Sequence, residues 1–476
     1  MAGAPTPVVL RRAVGTVTAT ATATGLAFAA IDYLGVVSVA TYAAGASAWL
    51  AIAVGGFIVL LVSGIFSELN GLYPTAAGIR LYLARALGPR TALGVTFTYM
   101  STVVLVIAAD AFLIGAAIGH VLGAPAVLSY LWIAVLLALA TAANLAGIRL
   151  AGWVQTVVTY VVLASTVALS LVAIFHPGGA LHRPLDLFGR GVFDGAQSIA
   201  FALFLYAAYE WVTTTAEEAR RPAVITRALF GAPVLIWIGA SLFALGVAHL
   251  VPFSQLHGSA YPQLLMAKAA MGSVGQLWML AVTVLTALNT FNGGFLVASR
   301  FMYAAAREGS LPPRFARLNI RAVPWLAVVV LAGASLAVAA AVFATHQWLL
   351  LVAVGATLEA GIYALGSYCV LVLRHRERRE RPFRLIAGRP LAALGVGLFG
   401  VLAVASGLSD PKDAHRMSML PVAVIAVIAA LATAYVLTVV PRLQAQAAAR
   451  AAQARPRRRP VRPGPVAAVE ADTATS

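Results

Sequence analysis

Four carboxylates stand where this chain otherwise avoids charge. Asp32 lies in "LAFAAIDYLGVV", Asp110 in "VIAADAFLIG", Glu210 in "LYAAYEWV" and Glu359 in "ATLEAGIY". A carboxylate in such surroundings can hold a proton, hold a mobile cation or ammonium group, or cap backbone groups freed by a broken helix. No Lys or Arg falls inside those four runs, and the only two lysines, Lys268 and Lys412, fall in loops. The neutralising charge is therefore a proton or a cation that comes and goes. Phe204, Tyr206, Tyr209 and Trp211 cluster around Glu210. Aromatic faces turned to an ammonium group add about 0.5–2 kcal/mol each. Asn289 and Asn292, in "LNTFNGG", either line the same cavity or bond between helices.

The elements that must hold these groups follow from composition. Hydrophobic residues make up 61% of 476 positions, charged residues 10%, and mean hydropathy is +0.90. A soluble domain carries about 25% charged residues, so the solvent here is a bilayer. The one cysteine, Cys369, excludes an internal disulfide and a cysteine metal site. The start, "MAGAPTPVVLRR", lacks the pattern of a cleavable leader, so the first apolar segment is expected to stay in the protein. There is no GxxxxGK[ST] and no HExxH, and no nucleophile–base set can be assembled. ATP hydrolysis by this chain alone and membrane-embedded enzyme chemistry are both disfavoured, and no cofactor is expected.

A helix needs about 20 apolar residues to cross a bilayer. Twelve segments qualify: 17–41, 47–69, 94–119, 126–147, 153–175, 194–213, 226–250, 274–299, 324–344, 348–373, 390–408 and 417–440. Backbone groups in hydrocarbon must be satisfied internally, which makes these segments helices and the fold an all-α membrane protein. Counting arginines and lysines by loop puts 28 of 33 on one side, from Arg11, Arg12 and Arg80 through Arg300 to the tail. Arg183, Arg190, Lys268, Lys412 and Arg416 fall on the other. Basic residues collect in cytoplasmic loops, so both termini are expected inside, as an even number of spans requires. The basic, proline-rich tail from 441 to 476 is expected to lack structure and to lie near anionic lipid headgroups. The net charge of +17 is thus topological and implies no nucleic-acid partner.

Four stretches, in order, resemble permeases of the amino acid–polyamine–organocation superfamily. They are "SELNGLYPTAAGIRLYLARALG", "NLAGIRLAGWVQTVV", "FLYAAYEWVTTTAEEARRP" and "ASRFMYAAAREGSLPPRFARLN". The resemblance implies an inverted-repeat, leucine-transporter-like fold. Spans one to five (about 17–175) and six to ten (about 194–373) would be two repeats of opposite topology, with two spans (about 390–440) appended. It also implies that the first helix of each repeat is broken near the midplane and that substrate binds at the half-helix ends. Matched residue by residue, the first break falls near Ile31, Asp32 and Tyr33. Glu210 takes the corresponding place in the sixth span, with Phe204 and Tyr206 on the preceding turns. The departures are specific. "AFAAIDYLG" has Gly25 and Gly35 only at its flanks, the second glycine pair has become Ala77-Gly78, and the fifth span lacks a lysine that some relatives place near a cation site.

The expected function is secondary transport of an amino acid, a polyamine or a related organic amine across the cytoplasmic membrane. It would be coupled to a proton in preference to sodium, or run by exchange. The candidate substrate-binding residues are Ile31, Asp32, Tyr33, Asp110, Phe204, Tyr206, Tyr209 and Asn289. The candidate coupling residues are Glu210 and Glu359. A channel or a non-transporting receptor of the same fold is the alternative reading. An aspartate at the first break opposes a substrate carboxylate and attracts an ammonium, which tilts the expected substrate toward cationic or decarboxylated amines.

Overall fold

The computed structural model describes residues 10, 12–42, 47–123, 125–179, 191–256, 259–377, 379–410 and 416–454. Arg11, Arg183, Arg190, Arg378, Lys412 and the tail from 455 lie outside the described residues. Among the described residues the candidate membrane spans are helical, apart from a break in two of them. Among the described residues extended pairing is limited to two isolated bridges, Val14 with Ala219 and Ser409 with Met417.

Twelve spans form if each broken pair is taken as one crossing. The first is Thr16–Ala27 followed by Ile31–Tyr42, and its halves are bent by 62°. Ala48–Leu72, Pro89–Leu122, Ala126–Leu145 and Ile148–Ile174 complete the first five. The sixth is an α-helix, Val192–Phe204, continued by a tighter helix, Tyr209–Glu218. Ala223–Leu250, Pro262–Arg307, Trp325–Thr345 and Trp348–Arg376 follow. Gly388–Gly407 and Leu420–Thr438 are the last two. The eighth begins well before the expected 274, because Gly272 (φ +66°) joins an entering helix to the span through a conformation open to glycine. The chain also stays helical past 440, over Val440–Ala454, which corrects the expectation of an unstructured tail for that part.

Both expected breaks are present, each with a local cause. In the first, Phe28 leaves helical geometry (φ −87°, ψ 79°). Its N–H still reaches Thr24, while the Ala29 N–H turns to the Asp32 side chain at 2.6 Å. A short acidic side chain that satisfies nearby backbone competes with the helix ladder, so the break needs no glycine. In the sixth, Ala208 adopts a left-handed conformation (φ +71°), uncommon and costly for a residue with a Cβ. The two breaks are five spans apart. The half-helix Ile31–Tyr42 packs on Val192–Phe204, and Thr16–Ala27 packs on the fifth, seventh and eighth spans. The eleventh span packs on the tenth, and the twelfth on the third and tenth, at the outside of this bundle.

Candidate functional site

The first break lies at Phe28–Ala30, immediately before the residues the sequence singled out, so Ile31, Asp32 and Tyr33 form the first turn of the second half-helix. A helix start presents unpaired N–H groups and a partial positive charge. Here two carboxylates meet it. Asp32 Oδ2 accepts from Ala29, and Asp110 Oδ1, from the third span, accepts from the Ile31 N–H at 3.1 Å. Asp32 is 7% exposed and Asp110 is fully buried. Asp110 Oδ2 accepts no hydrogen bond in the structure. Asp32 therefore caps the break, and together with Asp110 it places two carboxyl groups and unused acceptor capacity there.

At the second break two more carboxylates converge. The Tyr99 hydroxyl, from the third span, lies 2.5 Å from Glu210 Oε1 and 2.7 Å from Glu359 Oε2. Tyr363 donates to Glu210 Oε2 at 3.1 Å, and the strained Ala208 donates its N–H to Glu359 Oε1 at 2.7 Å. All four side chains are buried. Nothing around Glu359 in the sequence suggested an unwound helix, because the unwound segment it caps belongs to a different span. Glu359 itself is a sequence candidate, whereas Tyr99 and Tyr363 are not; the available signal is a phenol deep within an otherwise apolar run. Trp211 stacks on the Tyr99 ring (4.9 Å, 23°).

The remaining candidates are placed as follows. The Tyr33 hydroxyl pairs with Thr166 at 2.7 Å, and its ring lies edge-on to Phe28 and Phe243. Tyr206 and Tyr209 tie their hydroxyls to the second span, at the carbonyls of Ile52 (2.8 Å) and Val59 (3.2 Å). Phe204 is half-buried, ends the first half of the sixth span and packs edge-on to Phe201. Asn289 donates to Thr159 at 2.8 Å, and Thr159 in turn donates to the carbonyl of Ala21 in the first half-helix at 2.9 Å. Asn292 bonds Gln155 (2.7 Å) and receives the Asn144 amide (2.9 Å). The two asparagines thus serve bonds between helices.

Gly25 lets the first half-helix approach this network. A Cβ built there would lie 2.1 Å from Asn289 Nδ2 and 2.5 Å from both Gln155 Nε2 and Thr159 Oγ1. Gly25→Ala is expected to break the Asn289–Thr159 bond and destabilise the protein by about 1–3 kcal/mol. Thermal unfolding of the purified protein in detergent reads this, and an unchanged midpoint would mean the network relaxes freely.

The arginine-rich end is closed by ion pairs that the sequence showed only as motif residues. Glu68 binds Arg374 (2.8 and 2.5 Å) and Arg381 (3.0 Å), and also accepts the Leu385 N–H. Glu218 holds Arg300 through two hydrogen bonds (2.8 and 3.2 Å), with both side chains 1% exposed. Glu217 takes Arg307 and the Ala76 N–H, and Arg80 pairs with Glu308. Val14 bonds the backbone at Glu218 and Arg220, which fastens the N-terminal segment to the end of the sixth span. No group of residues able to hold a metal ion occurs among the described residues.

Comparison with known proteins agrees with this architecture. The sequence profile of the amino acid permease family matches residues 18–440. The aromatic amino acid transport protein AroP of Corynebacterium glutamicum is 24% identical over 60% of this chain and 65% of its own. The γ-aminobutyric acid permease of Bacillus subtilis is 24% identical over 60% of this chain and 64% of its own. The branched-chain amino acid permease BcaP of Lactococcus lactis is 24% identical over 49% and 50%. In each case the chain spans less than two thirds of the relative's length. The match over nearly all twelve spans, with two broken spans five apart, establishes that this chain belongs to the amino acid permease family.

Proposed function

We propose that the protein is a secondary transporter of an amino acid or related organic amine. It sits in the cytoplasmic membrane with both termini inside, as the distribution of basic residues supports. Spans one to five and six to ten act as two repeats that carry the broken spans. One observation carries the reading: each break is met by buried carboxylates with no Lys or Arg partner among the described residues. Intramembrane carboxylates facing broken helices mark substrate and ion pathways.

The two breaks have different roles. At the first, the Ala29 and Ile31 N–H groups, which would otherwise suit a substrate carboxylate, are taken by Asp32 and Asp110. What remains suits an ammonium group. Asp110 Oδ2 is without a partner, and the site carries two carboxylates. The relatives are named for aromatic amino acids, branched-chain amino acids and γ-aminobutyric acid. All of these carry both an amine and a carboxylate, and of the two groups it is the amine that suits a site lined by Asp32 and Asp110.

At the second break the donors are fewer than the acceptors. Tyr99, Tyr363 and the Ala208 N–H offer three protons to two carboxyl groups, and the one Tyr99 proton serves both. Two carboxylates this close in a low dielectric do not both ionise, so the pair retains a proton. Glu210 and Glu359 thus form the coupling site, and movement of the sixth-span break changes its access to water.

The test is proton-driven uptake in proteoliposomes across a pH series. Glu210→Gln is expected to flatten the pH dependence while substrate binding survives. An unchanged pH profile in that variant rules out the role.

A further inference from the structure

A groove of about 620 Å³ opens between the third, tenth and twelfth spans, away from both breaks except that Tyr99 contributes to its wall. Its size falls within the range of small-molecule sites, but its form is that of a lipid slot. On the twelfth span it runs from Ile425 to Leu437. At the α-helical rise that is ~18 Å, a little more than half of a hydrocarbon core of ~30 Å, so the groove is one leaflet deep.

Its two ends differ. Arg90, in the first turn of the third span, lines one end. That end is also where Leu93 packs on Val436 and Val440. Arg90 is exposed and has no carboxylate partner among the described residues. Below it the walls are apolar or carry threonines, some of whose hydroxyls are spent on their own helix, as Thr98 on Gly94.

Two glycines in the walls give an independent indication. A helix glycine costs about 1 kcal/mol relative to alanine, and in membranes it usually lets another helix come close. Gly94 and Gly361 do not serve that purpose. A Cβ at Gly94 meets only Thr433 Oγ1 at 3.8 Å, and one at Gly361 meets nothing within 4 Å. They widen the groove instead of closing a helix contact.

We infer that this groove binds one anionic phospholipid of the leaflet on the arginine-rich side. An acyl chain lies between the third, tenth and twelfth spans, and the phosphate lies on Arg90. An arginine near an anionic headgroup contributes on the order of 1 kcal/mol, about fivefold in occupancy.

The test uses the full chain in detergent micelles, with native mass spectrometry against dioleoyl phosphatidylglycerol and dioleoyl phosphatidylcholine. One phosphatidylglycerol is expected to be retained in preference to phosphatidylcholine. Arg90→Gln lowers its retention about fivefold and removes the preference. Gly361→Phe fills the slot and lowers retention of both lipids on the order of tenfold. If that variant does not fold, Gly94→Leu serves the same purpose. Gly397→Phe, on an exposed face of the eleventh span with open space around it, leaves retention unchanged. Equal retention of the two lipids, wild-type retention in both groove-filling variants, or a dimer that carries no lipid would overturn the proposal.

Discussion

Replacing Arg300 with Met is expected to destabilise the protein by about 3–5 kcal/mol, the usual cost of leaving a buried charge unpaired. Glu218 and Arg300 are each 1% exposed and meet through two parallel hydrogen bonds. Methionine fills much of the arginine's volume, so the loss measured is that of charge compensation and not of packing. Glu218 would then sit in a low dielectric with no cation. The double variant Arg300→Met, Glu218→Leu should recover most of the loss, because removing both members of a buried pair is close to neutral. Denaturant or thermal unfolding in detergent separates the cases. A single variant within about 0.5 kcal/mol of the parent, the scatter of a surface substitution, would mean that water reaches Glu218. A double variant as unstable as the single would mean that the arginine acts by shape.

Asp32→Asn is expected to lower affinity for amine substrates on the order of tenfold to a hundredfold, with a much smaller effect on a neutral analogue. The magnitude follows from losing a charge-assisted contact of roughly 1.5–3 kcal/mol. The asparagine Oδ1 can still accept the Ala29 N–H, so the cap at the break survives and the measurement isolates charge. Asp110→Asn should act in the same direction, since its second oxygen has no other partner. Competition binding with paired charged and neutral ligands reads the effect. Equal loss for both ligand types would make Asp32 a cap and nothing more.

The architecture was legible because it is written in long stretches. Apolar runs of about 20 residues announce spans, and twelve runs gave twelve crossings. The carboxylates were legible for the opposite reason: in such runs a single Asp or Glu stands out. Their partners were harder to see. That Glu359 caps Ala208 depends on how the tenth span rotates against the sixth, and no local pattern encodes that rotation. Tyr99 bridges two spans far from it in sequence, and its residue type alone is equally at home in plain packing. The first break lies about three residues before the Ile31–Tyr33 that the sequence points to, because the chain breaks through an aspartate cap on Ala29 and not at a glycine. The aromatic residues near Glu210 were read as one cluster. A tight turn instead sends the Tyr206 and Tyr209 hydroxyls to the second span and the Trp211 ring to Tyr99.

The most direct test of the central claim is counterflow. The protein is reconstituted into proteoliposomes, which are loaded with one unlabelled amino acid or amine and then diluted into a trace of the same compound, labelled. The panel runs from neutral amino acids to decarboxylated amines, with and without a pH gradient and with and without sodium. The account predicts accumulation of label that depends on internal substrate, is strongest for ligands with an accessible ammonium group, and responds to the pH gradient through Glu210. Label that merely equilibrates, at a rate indifferent to internal substrate, would contradict it and leave a channel of the same fold.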